Sequence, residues 1–426
     1  MRDSPVLVVT PDMRDSTLSV IRSLAQAELL RAWVTTVAVH ERSPALRWLP
    51  YSARRELLRR ARTRQVPGDL DAPAQAIWWR EALRLAATRA GLSDSACHRI
   101  WHWAELGFDR DVAEAWAGKV PCIYGCEHAS LASFRRQRAA GGINLQWQVI
   151  AHQRTSEAIL REEAGLFPAA TTAYSELTFE SAHEIAARKE EELELADFVI
   201  CNSEFARRSF LAAGLAADKV VAVPTGCPRV TTDAESRVRT AQPHVFLYAG
   251  TLSLRKGVHY LLQAWRKANP RPPAELWLVG RSELPAGFFA DLPDNVKLLG
   301  AVSRPELQRL FVRAGVLAFP TLCEGRARVV LEAAAAGLAL LTTANSGCED
   351  MVENGANGWL VEPRSVEALA DRITWFLDHR DALPGMWSSS LSKAGTWREQ
   401  DFAVQHARVV RELLARKGIG VAPRSA

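Results

Sequence analysis

Between residues 245 and 378 short apolar runs exchange regularly with amphipathic stretches, and this alternation most constrains what the chain can fold into. The runs are VFLYAG (245–250), ELWLVG (275–280), VKLLG (296–300), VLAFP (316–320), LALLTT (338–343) and GWLVE (358–362). They are long enough for strands, too short for helices, and largely lack the polar alternation of a strand with one wet face, so they read as strands covered on both sides. Between most of them GVHYLLQAWRKA, RPELQRLFVRAG, RVVLEAAAAG and SVEALADRITWFLDH carry apolar residues at helical spacing. Strand and helix in turn predict a parallel, doubly wound sheet. The first half repeats the theme with VLVVTP, a helix through IRSLAQAELLRA, then WVTTVAV, PCIYG, INLQWQVI, FVICNS and VVAVP. The predicted fold is α/β, with two Rossmann-like doubly wound domains facing across a cleft.

A chain of 426 residues has room for two such domains, at roughly 100 to 200 residues each. The first is expected over residues 1–228, with a helical insertion rich in Arg and Trp at 41–118. The segment PRVTTDAESRVRTAQPH has little apolar content and reads as a linker over 229–244. The second domain is expected over 245–395, and residues 396–426 are expected to form a helix that returns to the first. Hydrophobic residues make up 48% of the chain and charged residues 24%, and no apolar run approaches the roughly 20 residues that span a bilayer. The start, MRDSPVLVVTPDMRDS, has too short an apolar run for a secretory leader and reads as a first strand. A cytoplasmic location follows as the expectation, with the inner face of the cell membrane as a peripheral site. The net charge of +5 is concentrated in ARRELLRRARTR (53–64), beside Trp48, Leu49 and Tyr51. That run reads either as a solvated helix face or as a patch for anionic lipid through Arg54, Arg55, Arg59 and Arg60. No nucleic-acid-reading module accompanies it, so no nucleic acid is expected. Seven scattered cysteines read as reduced packing residues. Cys122, Cys126 and His128 lack a second ligand pair at zinc spacing, so no metal is expected.

In open parallel sheets, ligands bind beyond the carboxyl ends of strands, and two of the loops there carry chemistry. In AGTLSLRKG, Arg255 and Lys256 precede a helix and Gly250 and Gly257 permit tight turns, an arrangement suited to phosphate. In TLCEGRARVVLE, Glu324 follows a strand, Gly325 opens a turn, and a helix beginning near Ala327 aims its free N–H groups at the cleft. Glu332 lies among Val, Leu and Ala, where an unpartnered carboxylate is costly. It reads as an acceptor of sugar hydroxyls. The structural alternative is that Glu324 caps the helix and Glu332 pairs with Arg328, four residues earlier. The Asp-x-Asp pairs at 69–71 and 109–111 read as loop or cap residues.

With these sites in place, the chain resembles the retaining glycosyltransferases of family 4, which have the GT-B fold. The matching segments are LADFVICNSEFARRSF, KVVAVPTGCP, FLYAGTLSLRKGVHYLLQAW, VKLLGAVSRPELQRLF and VLAFPTLCEGRARVVLEAAAAGLALLTTANSGCEDMVENGANGWLVEP, together about residues 195–378. The resemblance implies that Glu324, first of a Glu-x7-Glu pair, contacts donor-sugar hydroxyls and that Glu332 contacts the ribose. It implies that Lys256 and Arg255 bind the diphosphate, with Gly250, Thr251, Gly325, Arg326, Ala327, Arg328 and Val329 around the donor and Ser303 at the base. His152, after the strand QWQVI, would face the donor sugar from the first domain. Lys256, Glu324 and His152 are then the expected catalytic set. The implied reaction is a metal-independent, retaining transfer of a hexose-like sugar, with no cofactor beyond the nucleotide-sugar donor, onto a saccharide or lipid-linked saccharide in glycan synthesis. Thr251 stands where the family usually has arginine, and Arg326 and Ala327 stand where it usually has an aromatic residue and a glycine. These departures leave a second class open, a catalytically inactive GT-B subunit that binds a partner protein.

Overall fold

The computed structural model describes residues 4–39, 52, 54, 55, 65–68, 70, 74–170, 173–229 and 242–420. Seven strands, β1 (Val6–Val9), β2 (Leu30–Thr35), β3 (Ala74–Ala76), β4 (Cys122–Cys126), β5 (Ile143–Gln148), β6 (Phe198–Cys201) and β7 (Val220–Ala222), form a sheet in the order β3-β2-β1-β4-β5-β6-β7. Its helices are α1 (Asp15–Gln26), α2 (Trp79–Arg89), α3 (Asp94–Trp116), α4 (Leu131–Ala139), α5 (Gln153–Leu166), α6 (Ala173–Leu195) and α7 (Glu204–Ala212). A second sheet holds β8 (Gln242–Ala249), β9 (Glu275–Val279), β10 (Val296–Gly300), β11 (Ala314–Phe319), β12 (Ala339–Thr343) and β13 (Gly358–Val361), in the order β10-β9-β8-β11-β12-β13. With it go α8 (Val258–Ala268), α9 (Arg304–Arg313), α10 (Arg328–Ala335), α11 (Val366–Asp378), α12 (Leu383–Thr396) and α13 (Glu399–Arg416). The strand pairings are parallel throughout.

Most of the apolar runs become buried strands because helices close both faces, but VKLLG, expected to be covered on both sides, forms the edge strand β10 and leaves Leu298 and Leu299 46% and 39% exposed. Val245, Phe246, Leu247 and Tyr248 of β8 are fully buried, as are Val316 to Phe319 of β11. In each sheet the strand order reverses beside the first strand, between β1 and β4 and between β8 and β11. At such a reversal the loops leaving the two strands part and open a crevice.

Two expectations are corrected. WVTTVAV was expected as a strand over residues 33–39, but β2 runs from Leu30 to Thr35 and pairs with β1 on one side and β3 on the other. The insertion expected to be helical contains α2 and α3 but also the short β3, which extends the sheet beyond β2. The sequence of β3 is AQA, which has no apolar run to reveal it.

The last helix lies on the first domain, where Phe402, Val410, Leu413 and Leu414 join Ile21 and Leu24 of α1 in one core. The chain therefore crosses between domains twice, and the crossings are tied together. The Cys227 N–H donates to the Trp397 carbonyl at 2.8 Å, and the Glu399 N–H donates to the Cys227 carbonyl at 3.0 Å. Of the arginines expected to meet lipid, Arg54 and Arg55 are in helical turns, while Arg59 and Arg60 lie outside the described residues, as do linker residues 230–241.

Candidate active site

The loops leaving β8 and β11 flank the crevice of the second sheet and are joined through one carbonyl. The Arg255 oxygen accepts from the Leu322 N–H at 2.9 Å and from Thr321 Oγ1 at 3.2 Å. Gly257 permits this approach. Its φ is +69°, and a Cβ there would lie 1.9 Å from the Pro320 oxygen. A side chain would therefore push the loops apart.

The join brings the sequence-predicted charges together. Lys256 Nζ lies 2.6 Å from Glu324 Oε1, and Arg255 Nη1 lies 2.8 Å from the same oxygen. Arg255 Nη1 also donates to the Cys323 carbonyl at 2.8 Å. Lys256 and Glu324 are about one-sixth exposed, so this pair is more desolvated than an ordinary surface contact. Glu324 does not cap the following helix. The N-cap of α10 is Ala327, which makes no side-chain cap bond at the positive end of the helix dipole. Gly250 sits at the mouth of the loop with φ +149°, and Tyr248 Oη donates to the Thr251 carbonyl at 2.8 Å.

Glu332 faces one turn back along α10, where Arg328 Nε reaches its Oε1 at 3.0 Å, the pairing named as the structural alternative. Arg304 Nη2 approaches the same oxygen at 3.5 Å. Both arginines also reach Asp15 of the first domain, at 3.1 Å from Arg304 and 3.3 Å from Arg328. Glu332 opens on a groove of about 250 Å³ lined by Arg304, Gln308, Ala335 and Ala336. Arg304 and Asp15 were missed in the sequence. Arg304 directly follows Ser303 in the loop after β10, so the rule of strand carboxyl ends could have found it; nothing local marks Asp15.

Other expected residues stand elsewhere. Val329 packs against the core, and Ser303 Oγ accepts from the Glu306 N–H as the N-cap of α9. Gly325 meets the first domain, since a Cβ on it would lie 1.9 Å from the Val149 oxygen, and Ser203 Oγ donates to its carbonyl. Arg326, expected at the donor, is corrected to a structural role. Its guanidinium donates to Asp350 at 2.7 and 3.0 Å, to the Gly347 carbonyl at 2.9 Å and to the Thr225 carbonyl at 2.8 Å, and its side chain is 1% exposed. His152, expected to face the donor sugar, lies at the start of α5, with its Nε2 buried and making no hydrogen bond among the described residues. It is fully buried as the N-cap of α5, where Nδ1 accepts from the Arg154 N–H at 3.2 Å and the ring packs edge-on to Phe210. Burial pushes its pKa below the usual histidine value, so the neutral, accepting imidazole is favoured. Asp109, in the second Asp-x-Asp pair, accepts from the Ala132 and Ser133 N–H groups at the start of α4, a cap as expected. In the first pair, Asp69 and Asp71 lie outside the described residues.

The first domain offers a second cavity, of about 180 Å³, at the carboxyl ends of β1, β2 and β3. Asp12, Arg14, Arg80, Arg84, Trp101 and Glu105 line it. Arg84 makes two 2.7 Å bonds to Glu81, and Glu105 Oε2 lies 2.6 Å from His128 Nδ1. Paired charges beside an indole suit a polyhydroxylated ligand better than a bare ion.

Residues 230–389 match the family model described as glycosyl transferases group 1. Over 140 residues the chain is 29% identical to an uncharacterized glycosyltransferase of Methanocaldococcus jannaschii, which covers 32% of this chain and 35% of that protein. Over 176 residues it is 26% identical to the amylovoran biosynthesis glycosyltransferase AmsK of Erwinia amylovora, covering 38% of this chain and 43% of that protein. These matches thus span less than half of either relative. Among solved structures, Anabaena HepE in complex with UDP aligns over 97% of this chain and 100% of its own, with a TM-score of 0.59 and 17% identity. The two-sheet arrangement is that of the GT-B fold.

Proposed function

We propose that this chain is a retaining glycosyltransferase that moves a sugar from a nucleotide-diphosphate donor, with UDP as the favoured nucleotide, to a saccharide or lipid-linked saccharide during polysaccharide synthesis. The observation that carries the proposal is the meeting of Lys256 and Arg255 on Glu324 at the crevice of the second sheet. The match over residues 230–389 and the relatives of 26–29% identity support it.

At this crevice two cations share one carboxylate. A diphosphate brings two negative charges and satisfies Lys256 and Arg255 better than Glu324 does, so Glu324 is released to accept hydrogen bonds from the sugar hydroxyls. Free N–H groups at the start of α10 add donors to the phosphate oxygens. Glu332 exchanges Arg328 for the ribose hydroxyls. As the bond from the anomeric carbon to the phosphate oxygen breaks, negative charge grows on the diphosphate. Lys256, Arg255 and the α10 terminus stabilise it, each such contact being commonly worth about 3 kcal/mol. The acceptor hydroxyl, presented from the first domain, bonds to the anomeric carbon on the face the diphosphate leaves. Its proton passes to a phosphate oxygen, so no protein nucleophile and no metal enters the step.

The test follows the slow hydrolysis of UDP-α-glucose and related donors by NMR. Retention predicts that the α-anomer of the free sugar appears first. Initial release of the β-anomer would exclude a retaining reaction.

A further inference from the structure

Helix α2 is turned inside out for a soluble domain. Trp79, Ala82, Leu83 and Ala86, which share one face at helical spacing, are all exposed, whereas Glu81, its one carboxylate, is 5% exposed. Arg84, paired with Glu81, and Arg80, paired with Asp111, line the cavity beneath. The apolar surface continues on both sides. Trp78 is 63% exposed, Leu83 54%, Leu92 42% and Trp103 40%, and the Trp79 and Trp103 rings meet edge to face at 5.7 Å. Exposed Arg89 and Arg99 lie on the same helix pair. A contiguous apolar face of this kind marks a surface that meets another phase or partner, because scattered exposed leucines do not cluster so.

We propose that the face formed by α2 and the first turns of α3 docks on an anionic lipid bilayer. Tryptophan and leucine side chains would enter the headgroup boundary, and the arginines would meet lipid phosphates. Indole rings are the apolar groups best suited to that boundary, since one end tolerates water. Burial of Glu81 removes the carboxylate that would otherwise oppose anionic lipid, and the chain's excess of +5 acts in the same direction. This surface is distinct from the arginine run at 53–64. It rests on the transferase proposal in one respect: α2 also lines the first-domain cavity, so a lipid-linked acceptor would need only a short reach from the bilayer.

The test is flotation of the full chain with vesicles of phosphatidylcholine alone and of phosphatidylcholine mixed with phosphatidylglycerol, for the wild type and for Trp79→Ser combined with Leu83→Ser. Both substitutions lie on the exposed face, and circular dichroism checks the fold. The wild type is expected to float with the anionic vesicles and to favour them over neutral ones. The double variant should lose at least about tenfold in bound fraction. Undiminished flotation of the variant, equal binding to neutral vesicles, or no binding by the wild type would overturn the proposal. So would a wild-type dimer in light scattering that the variant abolishes without any lipid binding, since a second copy would then cover the face. Thermal shift with UDP on the same samples separates the two proposals. Docking predicts an equal UDP response in both proteins, and a wild type that floats but ignores UDP would remove the transferase proposal while leaving the docking surface.

Discussion

Arg326 and Lys256 are both cations beside the crevice, yet they serve different ends. Lys256 meets a carboxylate that a diphosphate can displace. Arg326 is enclosed by Asp350 and two carbonyls, one of them on Thr225 at the crossing between domains. Replacing it by alanine leaves those carbonyls without their donor, so Arg326→Ala should cost about 3 kcal/mol of stability. Urea unfolding measures that loss, and UDP affinity in the surviving fold should change little; the opposite pattern would return Arg326 to the donor site. The local sequence could not separate the two roles, because Asp350 and Thr225 lie 24 and 101 residues from Arg326. Glu332 was partly legible. Its burial among alanines required a partner, and four-residue spacing identified Arg328, but the approach of Arg304 from α9 needed the fold.

Elements were most legible where burial is complete on both faces. In the second sheet β9, β11 and β12 read directly because their apolar runs are buried, whereas β10, at the sheet edge, carries Lys297 and leaves Leu298 and Leu299 exposed and was legible only from its short apolar run. β3 was not legible because three residues at a sheet edge carry no such run, and β2 was shifted because Leu30 to Ala32 lie outside the apolar stretch that follows. The docking of α13 was expected, but its chemistry was hidden. His406 is fully buried, 2.5 Å from Ser23 Oγ and 3.0 Å from Tyr124 Oη, and burial lowers its pKa to about 3. Because the folded pKa lies below the unfolded value near 6.5, the unfolded chain binds the proton more readily. This contribution is therefore complete above about pH 6.5 and is lost as pH falls toward 3. Between pH 7 and pH 5 the native state should lose about 2 kcal/mol through this residue. Denaturant titrations at the two pH values should show a smaller drop for His406→Gln than for the wild type; equal drops would mean that His406 is not the group that takes up the proton.

The whole molecule is two sheets whose first domain is completed by the last helix. Phe402, Val410, Leu413 and Leu414 fill that core, and burying each large apolar side chain contributes about 1.5 to 3 kcal/mol. Their sum is comparable with the total stability of a domain. Residues 1–228 alone should therefore fail to fold, and adding residues 396–420 as a separate peptide or fusion should rescue a cooperative melt. A cooperative melt from 1–228 alone would show that α13 is dispensable. The charges across the cleft contribute differently. Asp15, Arg304 and Arg328 are 36–55% exposed, so their pairs add little to stability and are free to rearrange when a ligand takes Glu332. The most direct test of the nucleotide-sugar site is titration calorimetry of UDP into the wild type and into Lys256→Ala. The account predicts that UDP binds the wild type and that the variant loses about 1.5 to 3 kcal/mol of binding, tenfold or more, with its unfolding midpoint little changed. Equal affinity in the two proteins, or no binding of UDP by the wild type, would contradict it.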